Sequence, residues 1–299
     1  MHRALAPTRR AALAALAPLA ARARPVAARA MAAPAFEIAV KGLPKEGILA
    51  DCEPLEGCKV SIGRLHSHQH RPPPLAGAFR SPHASSSLQP SNPPPPPGPF
   101  SHRALLVLEE KKVPYARTLI DLEDRPDWIR AANPPNGAVP VLKDLATGTW
   151  LPDSGAISDM LEERFPEPAL GKVDALPAPG AGIFGAFKDF CKAESADEAA
   201  AKEAELRGAL GELEAALRAS DGPFVGGARP NAHDCSLAPK LYHAVIALDH
   251  FKGWSLPGEF AAVRAYLDAW QGRESWRNTA YSPELVVRGW EKHGLVVRK

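Results

Sequence analysis

The sequence predicts a small mixed sheet covered by helices, followed by a separate bundle of helices. Two patterns lead to this fold class. Strand-like and helix-like segments alternate between Phe36 and about residue 170, whereas the apolar runs after about Gly180 repeat at helical spacing. Residues 1–35 and 53–98 carry neither pattern, so we exclude both from the folded domains.

The α/β part begins with FEIAVKG, residues Phe36–Gly42, in which apolar and polar residues alternate as in a strand. LPKEGILADC follows and is expected to be a loop that reaches Cys52. After the 53–98 segment, HRALLVLEEKK predicts an amphipathic helix with Ala104, Leu105 and Leu108 on one face and EEKK at its polar end.

Further segments complete this part. VPYARTLIDL predicts a strand and RPDWIRAAN a short helix. GAVPVLKD and TWLPDS predict a turn, a strand and its hairpin partner, and GAISDMLEERFPEP a helix that ends at Pro166. We therefore place one α/β domain at residues 36–52 and 99–170.

The helical domain is placed at residues 180–299, after a link near Leu170–Gly180. Four segments carry apolar residues at helical spacing: IFGAFKDFCKAE, EAAAKEAELRGALGELEAALRAS, DCSLAPKLYHAVIALDHF and EFAAVRAYLDAWQGRESW. NAHDCSLA predicts a capping box, in which Asn231 caps a helix and Asp234 reaches back.

Residues 1–35 have the composition of an organelle transit peptide. They are rich in alanine and arginine, and no acidic residue precedes Glu37. Arginines interrupt the apolar stretch, which disfavours a secretory signal, and a plain disordered tail is the alternative. We expect cleavage near Ala28–Ala33, with the chloroplast as destination and the mitochondrion as the alternative.

Residues 53–98 are predicted to be a disordered, proline-rich insertion. The segment contains RPPP, HASSSLQPSN and PPPPP, and no acidic residue follows Glu56, so it has too little apolar surface to offset its ordering entropy. Its HSHQH motif, His66–His70, has no fourth ligand of matching character, so we predict no metal.

The overall composition excludes some classes of function. A formal net charge of +2 gives no reason to expect nucleic-acid binding, and no apolar run approaches the length of a membrane span. The four cysteines, Cys52, Cys58, Cys191 and Cys235, are too few in this length for a disulfide framework. They favour a reducing compartment.

Several segments, in this order, resemble the plant-type dehydroascorbate reductases of the glutathione transferase superfamily. They are LLVLEEKKVPY, LIDLEDRPDW, VPVLKD, DSGAISDMLEERFPEP, IFGAF, GPFVGG, LAPKLYHAVIALDHFKGWSLP and GWE. The resemblance implies the glutathione transferase fold, with a thioredoxin-like α/β N-terminal domain and an all-α C-terminal domain. It also implies glutathione as co-substrate and dehydroascorbate as substrate, in a monomer.

The family's active-site motif is Asp-Cys-Pro-Phe-Ser/Cys at the start of the first helix. Asp51–Cys52 match its first half and Pro99-Phe100-Ser101 its second, and removal of Glu53–Gly98 would restore it without a missing residue. The insertion is either a translated intron or gene-model error, or a real loop. A helix N-terminus would lower the pKa of the Cys52 thiol through the macrodipole and unpaired N–H groups.

The resemblance implies a monothiol mechanism, because Ser101 stands where dithiol relatives have a second cysteine. The Cys52 thiolate attacks dehydroascorbate and is oxidised as ascorbate leaves. Glutathione then forms a mixed disulfide with Cys52, and a second glutathione releases glutathione disulfide. A Cys52–Cys58 disulfide is a speculative alternative state.

The resemblance also implies the glutathione-binding residues. Pro140 in cis would present the Val139 backbone to the cysteinyl part of glutathione. Asp153 and Ser154 would hold its γ-glutamyl end, although either residue also fits a plain N-cap. Phe100 and Ser101 complete this set at the first helix.

Two cations and one carboxylate are predicted at the substrate. The resemblance implies that Lys41 and Arg125 bind the glycine carboxylate of glutathione or the anionic product ascorbate. It also implies that Lys41, Asp51 and Arg125 contact the substrate. Solvated surface charges are the alternative for both cations. Ala138 replaces a lysine that is usual in the family, which removes one positive charge.

Three rival functions remain open at this point. The chain resembles omega-class thiol transferases and chloride intracellular channel proteins, which share the fold and a similar Cys-Pro-Phe start. The rivals are therefore an omega-like thiol transferase, a non-catalytic or membrane-inserting relative of the chloride intracellular channel proteins, and an inactive product of intron retention. The interrupted motif supports the last two.

Overall fold

The computed structural model describes residues 33–43, 48–49 and 99–297. The predictions for Asp51, Cys52 and Cys58 lie outside the described residues. So do those for the 53–98 insertion and nearly all of the 1–35 segment.

A mixed sheet forms the centre of the N-terminal half. Its strands are β1 (Phe36–Leu43), β2 (Ile48–Leu49), β3 (Tyr115–Ile120), β4 (Val141–Asp144) and β5 (Trp150–Pro152). β1 is the central strand, parallel to β3 and antiparallel to β4, and β5 extends the sheet as the hairpin partner of β4. The predicted loop after β1 is wrong at one point, because Ile48–Leu49 pair with Gly42 and Leu43.

Three helices cover the sheet. They are α1 (Pro99–Glu110), α2 (Asp127–Ala132) and α3 (Ser154–Arg164). Alternate residues of β1, Phe36, Ile38 and Val40, are fully buried in the main core with the apolar side chains of α1. Ala39, on the opposite face, packs in a smaller cluster with Ile129 of α2. This alternation is what two-sided cover of a sheet requires.

The amphipathic pattern predicted for α1 is wrong in two respects. Every residue from Ala104 to Leu108 is buried, because α1 packs in one core with apolar side chains of β1 and of the helical half. Lys111, assigned to the polar end, has no exposed side-chain surface and forms an ion pair with Glu162.

The C-terminal half consists of helices. A short 3-10 turn (Val173–Ala175) leads into α4 (Ile183–Lys192), α5 (Ala196–Ala219), α6 (Ala232–Lys252), α7 (Ala261–Gln271), α8 (Glu274–Thr279) and α9 (Pro283–Glu291). The segment predicted as one last helix is divided into α7 and α8 at Gly272–Arg273, and α9 was not predicted. In the described part of the chain, no helix is long and apolar enough to cross a membrane.

The two halves share one hydrophobic core. Side chains of β1, α1, α4 and α6 belong to the same buried cluster. Polar contacts also cross the junction: Arg273 makes a two-pronged ion pair with Glu110 at 2.7 and 2.5 Å, and His102 Nε2 lies 3.1 Å from Thr279 Oγ1. The helical half therefore holds α1 near both of its ends, at His102 and at Glu110.

Candidate active site

Strand pairing brings three of the predicted site residues, Val139, Pro140 and Asp153, to one end of the sheet. Val141 at the start of β4 pairs with Ala39 on one side and with Pro152 on the other. Val139 and Pro140 immediately precede this point, and Asp153 immediately follows it. The guanidinium of Arg103 on α1 reaches the first turn of α3, so the start of α1 lies beside the same group.

The turn before β4 has the predicted cis-proline geometry. The Val139–Pro140 peptide bond is cis, which confirms that prediction. The Asn133 side-chain amide donates to Ala138 O at 2.9 Å and holds the turn. Neither the N–H nor the C=O of Val139 is hydrogen-bonded to another described residue, so both are available to pair with an extended peptide.

Asp153 and Ser154 begin α3. The Asp153 carboxylate accepts hydrogen bonds from the backbone N–H of Gly155 at 2.7 Å and of Ala156 at 3.0 Å, so it caps the helix. Its φ is 73°, a strained value for a residue other than glycine, and such residues gather at functional sites. Ser154 is buried directly behind it.

The start of α1 agrees with the second half of the thiol motif. Pro99 is the first helical residue, where its missing N–H is not needed. Phe100 and Ser101 occupy the first turn as predicted, with Ser101 buried and Phe100 41% exposed. The Phe100 ring meets Phe184 of α4 edge to face, with ring centres 6.3 Å apart.

The two predicted cations lie at the edges of this group. Lys41 follows Ala39 by two residues on β1 and is partly buried. Arg125 donates from Nε to Leu122 O at 3.0 Å and from Nη1 to Asn136 O. Its guanidinium therefore braces the loop that leads to the cis-proline turn.

The described cysteines are poor nucleophiles. Cys191 on α4 and Cys235 on α6 are both buried and free. Burial raises the pKa of the Cys191 thiol to about 12 and raises that of Cys235 well above its ordinary value. Because the thiolate is the reactive form, neither residue can carry thiol chemistry at neutral pH.

Sequence reasoning missed a basic cluster beside the site. Arg103 of α1 and Lys240 of α6 are both partly buried, and burial together with the positive charge of Arg103 lowers the pKa of Lys240. Within the described ranges, Arg103 has no hydrogen bond or ion pair, and its Nε is fully buried. The only signal in the sequence was an arginine placed among buried residues of the first helix.

The N-terminus of α6 confirms the predicted capping box. The Asn231 side chain accepts from Asp234 N at 2.9 Å, and Asp234 accepts in return from Asn231 N at 2.9 Å. Asp234 also accepts from Val225 and Gly226 N, so its role is structural. His243 is fully buried on α6. No group of three or more metal-ligating residues is present in residues 33–43, 48–49 and 99–297.

Comparison with known proteins identifies the class. Family models for the N-terminal and C-terminal domains of glutathione S-transferase match residues 97–164 and 196–269. "Glutathione S-transferase DHAR2" of Arabidopsis thaliana is 46% identical over 193 residues, which cover 64% of this chain and 88% of the relative. The chain belongs to the glutathione S-transferase family.

Within that family the resemblance is to the dehydroascorbate reductases. The crystal structure of the dehydroascorbate reductase of Chlamydomonas reinhardtii matches with a TM-score of 0.66 at 35% identity, over 87% of this chain and 98% of that one. "Glutathione S-transferase DHAR3, chloroplastic" of Arabidopsis thaliana is 40% identical over 64% of this chain and 72% of the relative. The glutathione transferase fold is therefore confirmed.

A second group is less similar. "Chloride intracellular channel protein 3" of Homo sapiens is 32% identical over 218 residues, which cover 63% of this chain and 87% of the relative. The N-terminal family match begins at residue 97, so β1 and Cys52 lie outside it.

Proposed function

We propose that this protein reduces dehydroascorbate to ascorbate with glutathione, through the thiol of Cys52. The similarity to dehydroascorbate reductases along nearly the whole length of the Chlamydomonas enzyme carries this proposal. The geometry supports it, because a cis-proline turn, a capped α3 and the start of α1 surround one end of the sheet.

Glutathione would bind along this end of the sheet as a short extended peptide. The free N–H and C=O of Val139 pair with its cysteinyl residue, and Asp153 and Ser154 hold its γ-glutamyl end. Asp153 has acceptor capacity beyond the two amides it caps, so capping and amine binding are compatible. Lys41, and Arg125 beside the turn, attract the glycine carboxylate or the anionic product.

The chemistry needs a thiolate at the start of α1. The first four N–H groups of a helix lack helical partners, and the N-terminal end carries partial positive charge. A thiol placed there ionises more readily, and Phe100 and Ser101 then lie in the first turn beneath it. Cys52 fits this role, because Cys191 and Cys235 are buried with raised pKa values.

The reaction transfers two electrons from two glutathione molecules to one dehydroascorbate. The Cys52 thiolate attacks the substrate, which takes up two electrons and leaves as ascorbate, while a water molecule supplies the oxygen of the sulfenic acid that forms on Cys52. The first glutathione then condenses with this sulfenic acid, which forms a disulfide with the Cys52 sulfur and releases the oxygen as water. A second glutathione attacks that disulfide, which releases glutathione disulfide and the thiolate. Ser101 cannot form an internal disulfide, so the mechanism uses one protein thiol.

The setting of the reaction is also part of the proposal. We propose a monomer that is imported into the chloroplast, with mitochondrial import as the alternative, and the domain bounds given above. A chloroplastic relative supports this destination. Dehydroascorbate and glutathione are the expected partners, with no metal.

The decisive experiment compares two purified proteins: the chain as written and the chain without Glu53–Gly98. Glutathione-dependent ascorbate formation is measured for both, with Cys52→Ser variants as controls. Activity in both forms means that Cys52 reaches α1 across a tolerated loop. Activity only in the shortened form assigns the function to a spliced protein, and undiminished activity of Cys52→Ser contradicts the mechanism.

The same proteins test the rival functions. Protein that binds immobilised glutathione but reduces no dehydroascorbate in either form supports a non-catalytic relative of the chloride intracellular channel proteins. Thiol transfer to a glutathione mixed disulfide without dehydroascorbate reduction supports an omega-like transferase.

A further inference from the structure

An unpaired guanidinium lies at the junction of the two halves. Arg103 projects from α1 against the first turn of α3, where a Cβ on Gly155 would lie 3.4 Å from Nη2 and 3.7 Å from Nη1. No described residue accepts a hydrogen bond from it or forms an ion pair with it, and its Nε is fully buried. An arginine with a buried Nε normally has a carboxylate or carbonyl partner, so this donor set is available to a ligand.

A second cation comes from the helical half. Lys240 of α6 donates to Ser236 Oγ at 3.0 Å and is partly buried. Burial and the neighbouring charge of Arg103 lower the pKa of Lys240. His233, which hydrogen-bonds to Pro179 O at 3.0 Å, also feels both charges. Two cations held together away from water favour an anion between them.

The carboxylates near Arg103 do not neutralise it by contact. Asp153, Asp159 and Asp174 influence its charge, but none is within ion-pair distance. The Asp153 carboxylate accepts from the backbone N–H of Gly155 and Ala156 and not from Arg103. Asp159 keeps Oδ1 buried without a partner, so a latent Arg103–Asp159 pair is the competing explanation.

We propose that Arg103 and Lys240 together bind the α-carboxylate of the γ-glutamyl group of glutathione. This inference rests on the proposed function, which places the γ-glutamyl end at Asp153 and Ser154. The planar guanidinium matches a carboxylate through paired N–H bonds, and the N-terminus of α3 adds favourable partial charge. Lys240 thus makes the helical half part of glutathione recognition.

The test compares S-methylglutathione with its analogue that lacks only this carboxylate, S-methyl-(4-aminobutanoyl)-cysteinylglycine. Binding is measured by calorimetry on the full chain and on the form without Glu53–Gly98. Wild type should bind S-methylglutathione at least tenfold more tightly than the analogue. Lys240→Met should reduce this preference at least threefold, Lys240→Arg should restore most of it, and Arg103→Met should reduce it further.

Two controls make the result specific. Lys252→Met removes the same charge from the same helix, about 18 Å further along it, and should leave the preference unchanged. Asp159→Asn should also leave it unchanged, because the ligand rather than Asp159 is the partner of Arg103. Thermal unfolding of each variant confirms that it is folded.

The inference and the proposed function can fail separately. A wild type that binds S-methylglutathione but reduces no dehydroascorbate contradicts only the function. A Lys240→Met variant that is folded and keeps the full preference overturns the inference, as does a loss of preference in Asp159→Asn. A wild type that binds neither compound overturns both.

Discussion

Lys111 Nζ lies 2.5 Å from Glu162 Oε2, and the lysine side chain has no exposed surface. The same ammonium donates to Phe165 O at 2.7 Å and to Pro168 O at 3.1 Å. The Glu162 carboxylate accepts from the backbone of Leu170 and Gly171. The pair thus fixes the connection between the two halves by binding its backbone groups.

Lys111→Met should destabilise the protein by about 3 kcal/mol, because it leaves a partly buried carboxylate and two carbonyls without their donor. Urea unfolding measures this change. Lys112→Met is the matched control, since Lys112 is exposed, and should change the free energy of unfolding by less than about 0.5 kcal/mol. Equal effects of the two variants would contradict the assignment.

The same pair predicts a loss of stability in acid. Partial burial raises the pKa of Glu162, but hydrogen bonds from Lys111 and from the Gly171 and Leu170 backbone outweigh it, so the pKa lies below its ordinary 4.5. The stabilisation is complete above pH 4.5 and is lost as the pH falls through the lower folded-state pKa. Glu162→Gln should unfold with a shallower pH dependence below pH 4.5.

Two buried histidines predict a second pH dependence, at higher pH. Burial, with a smaller contribution from a neighbouring cation, lowers the pKa of His243 from 6.5 to about 3, and burial lowers that of His102 well below 6.5. The unfolded chain binds protons below pH 6.5 while the folded protein does not. Stability should therefore fall by roughly 1 kcal/mol per pH unit for each histidine as the pH drops below 6.5.

Chemical denaturation between pH 7.5 and 5 measures this slope. His243→Leu should reduce it by roughly a third to a half, because His102 and a third buried histidine, His233, whose pKa burial also lowers, contribute the rest. His250→Gln, a change at an exposed histidine of the same helix, should leave the slope unchanged. A His243→Leu slope equal to that of wild type would contradict the prediction.

Asp153 should affect both stability and glutathione binding. Asp153→Ala removes the side-chain cap of α3 and should cost about 1 kcal/mol, whereas Asp153→Asn keeps an acceptor and should cost less. Asp153→Ala should also raise the KM for glutathione several-fold. Thermal unfolding and initial rates separate the two effects, and a cap-only role would leave the KM of all three proteins equal.

Thiol labelling tests whether Cys191 and Cys235 are unreactive in the folded protein. A Cys52→Ser, Cys58→Ser double variant should show no fast-reacting thiol at pH 7.5, because Cys191 and Cys235 are buried with raised pKa values. Both should react once the protein is unfolded. Fast labelling of the folded double variant would mean that one of them is accessible.

The sequence predicted features that have a local cause. The Asn231 capping box, the turn that ends in cis Pro140 and the placement of Pro99 at the start of a helix each depend on neighbouring residues. Family resemblance supplied the cis geometry, and turn and capping chemistry supplied the other two.

Features with a tertiary cause were missed. Lys111 was expected in solvent because its neighbours are charged, yet Glu162 and two carbonyls more than fifty residues away surround it. Arg103 and Lys240 come from different halves, so no local pattern joins them. The break between α7 and α8 contains Arg273, which forms an ion pair with Glu110 of α1. Glu110 is also far from this break in the sequence.

The central strand β1 is separated in sequence from the two strands that flank it. β1 is hydrogen-bonded on both edges to strands that follow Pro99, and its Phe36, Ile38 and Val40 are completely buried. A polypeptide cut between Leu49 and Pro99 should therefore behave as a split protein. The short N-terminal peptide would complete the sheet of the larger fragment by complementation, and the site would assemble only when the two pieces meet.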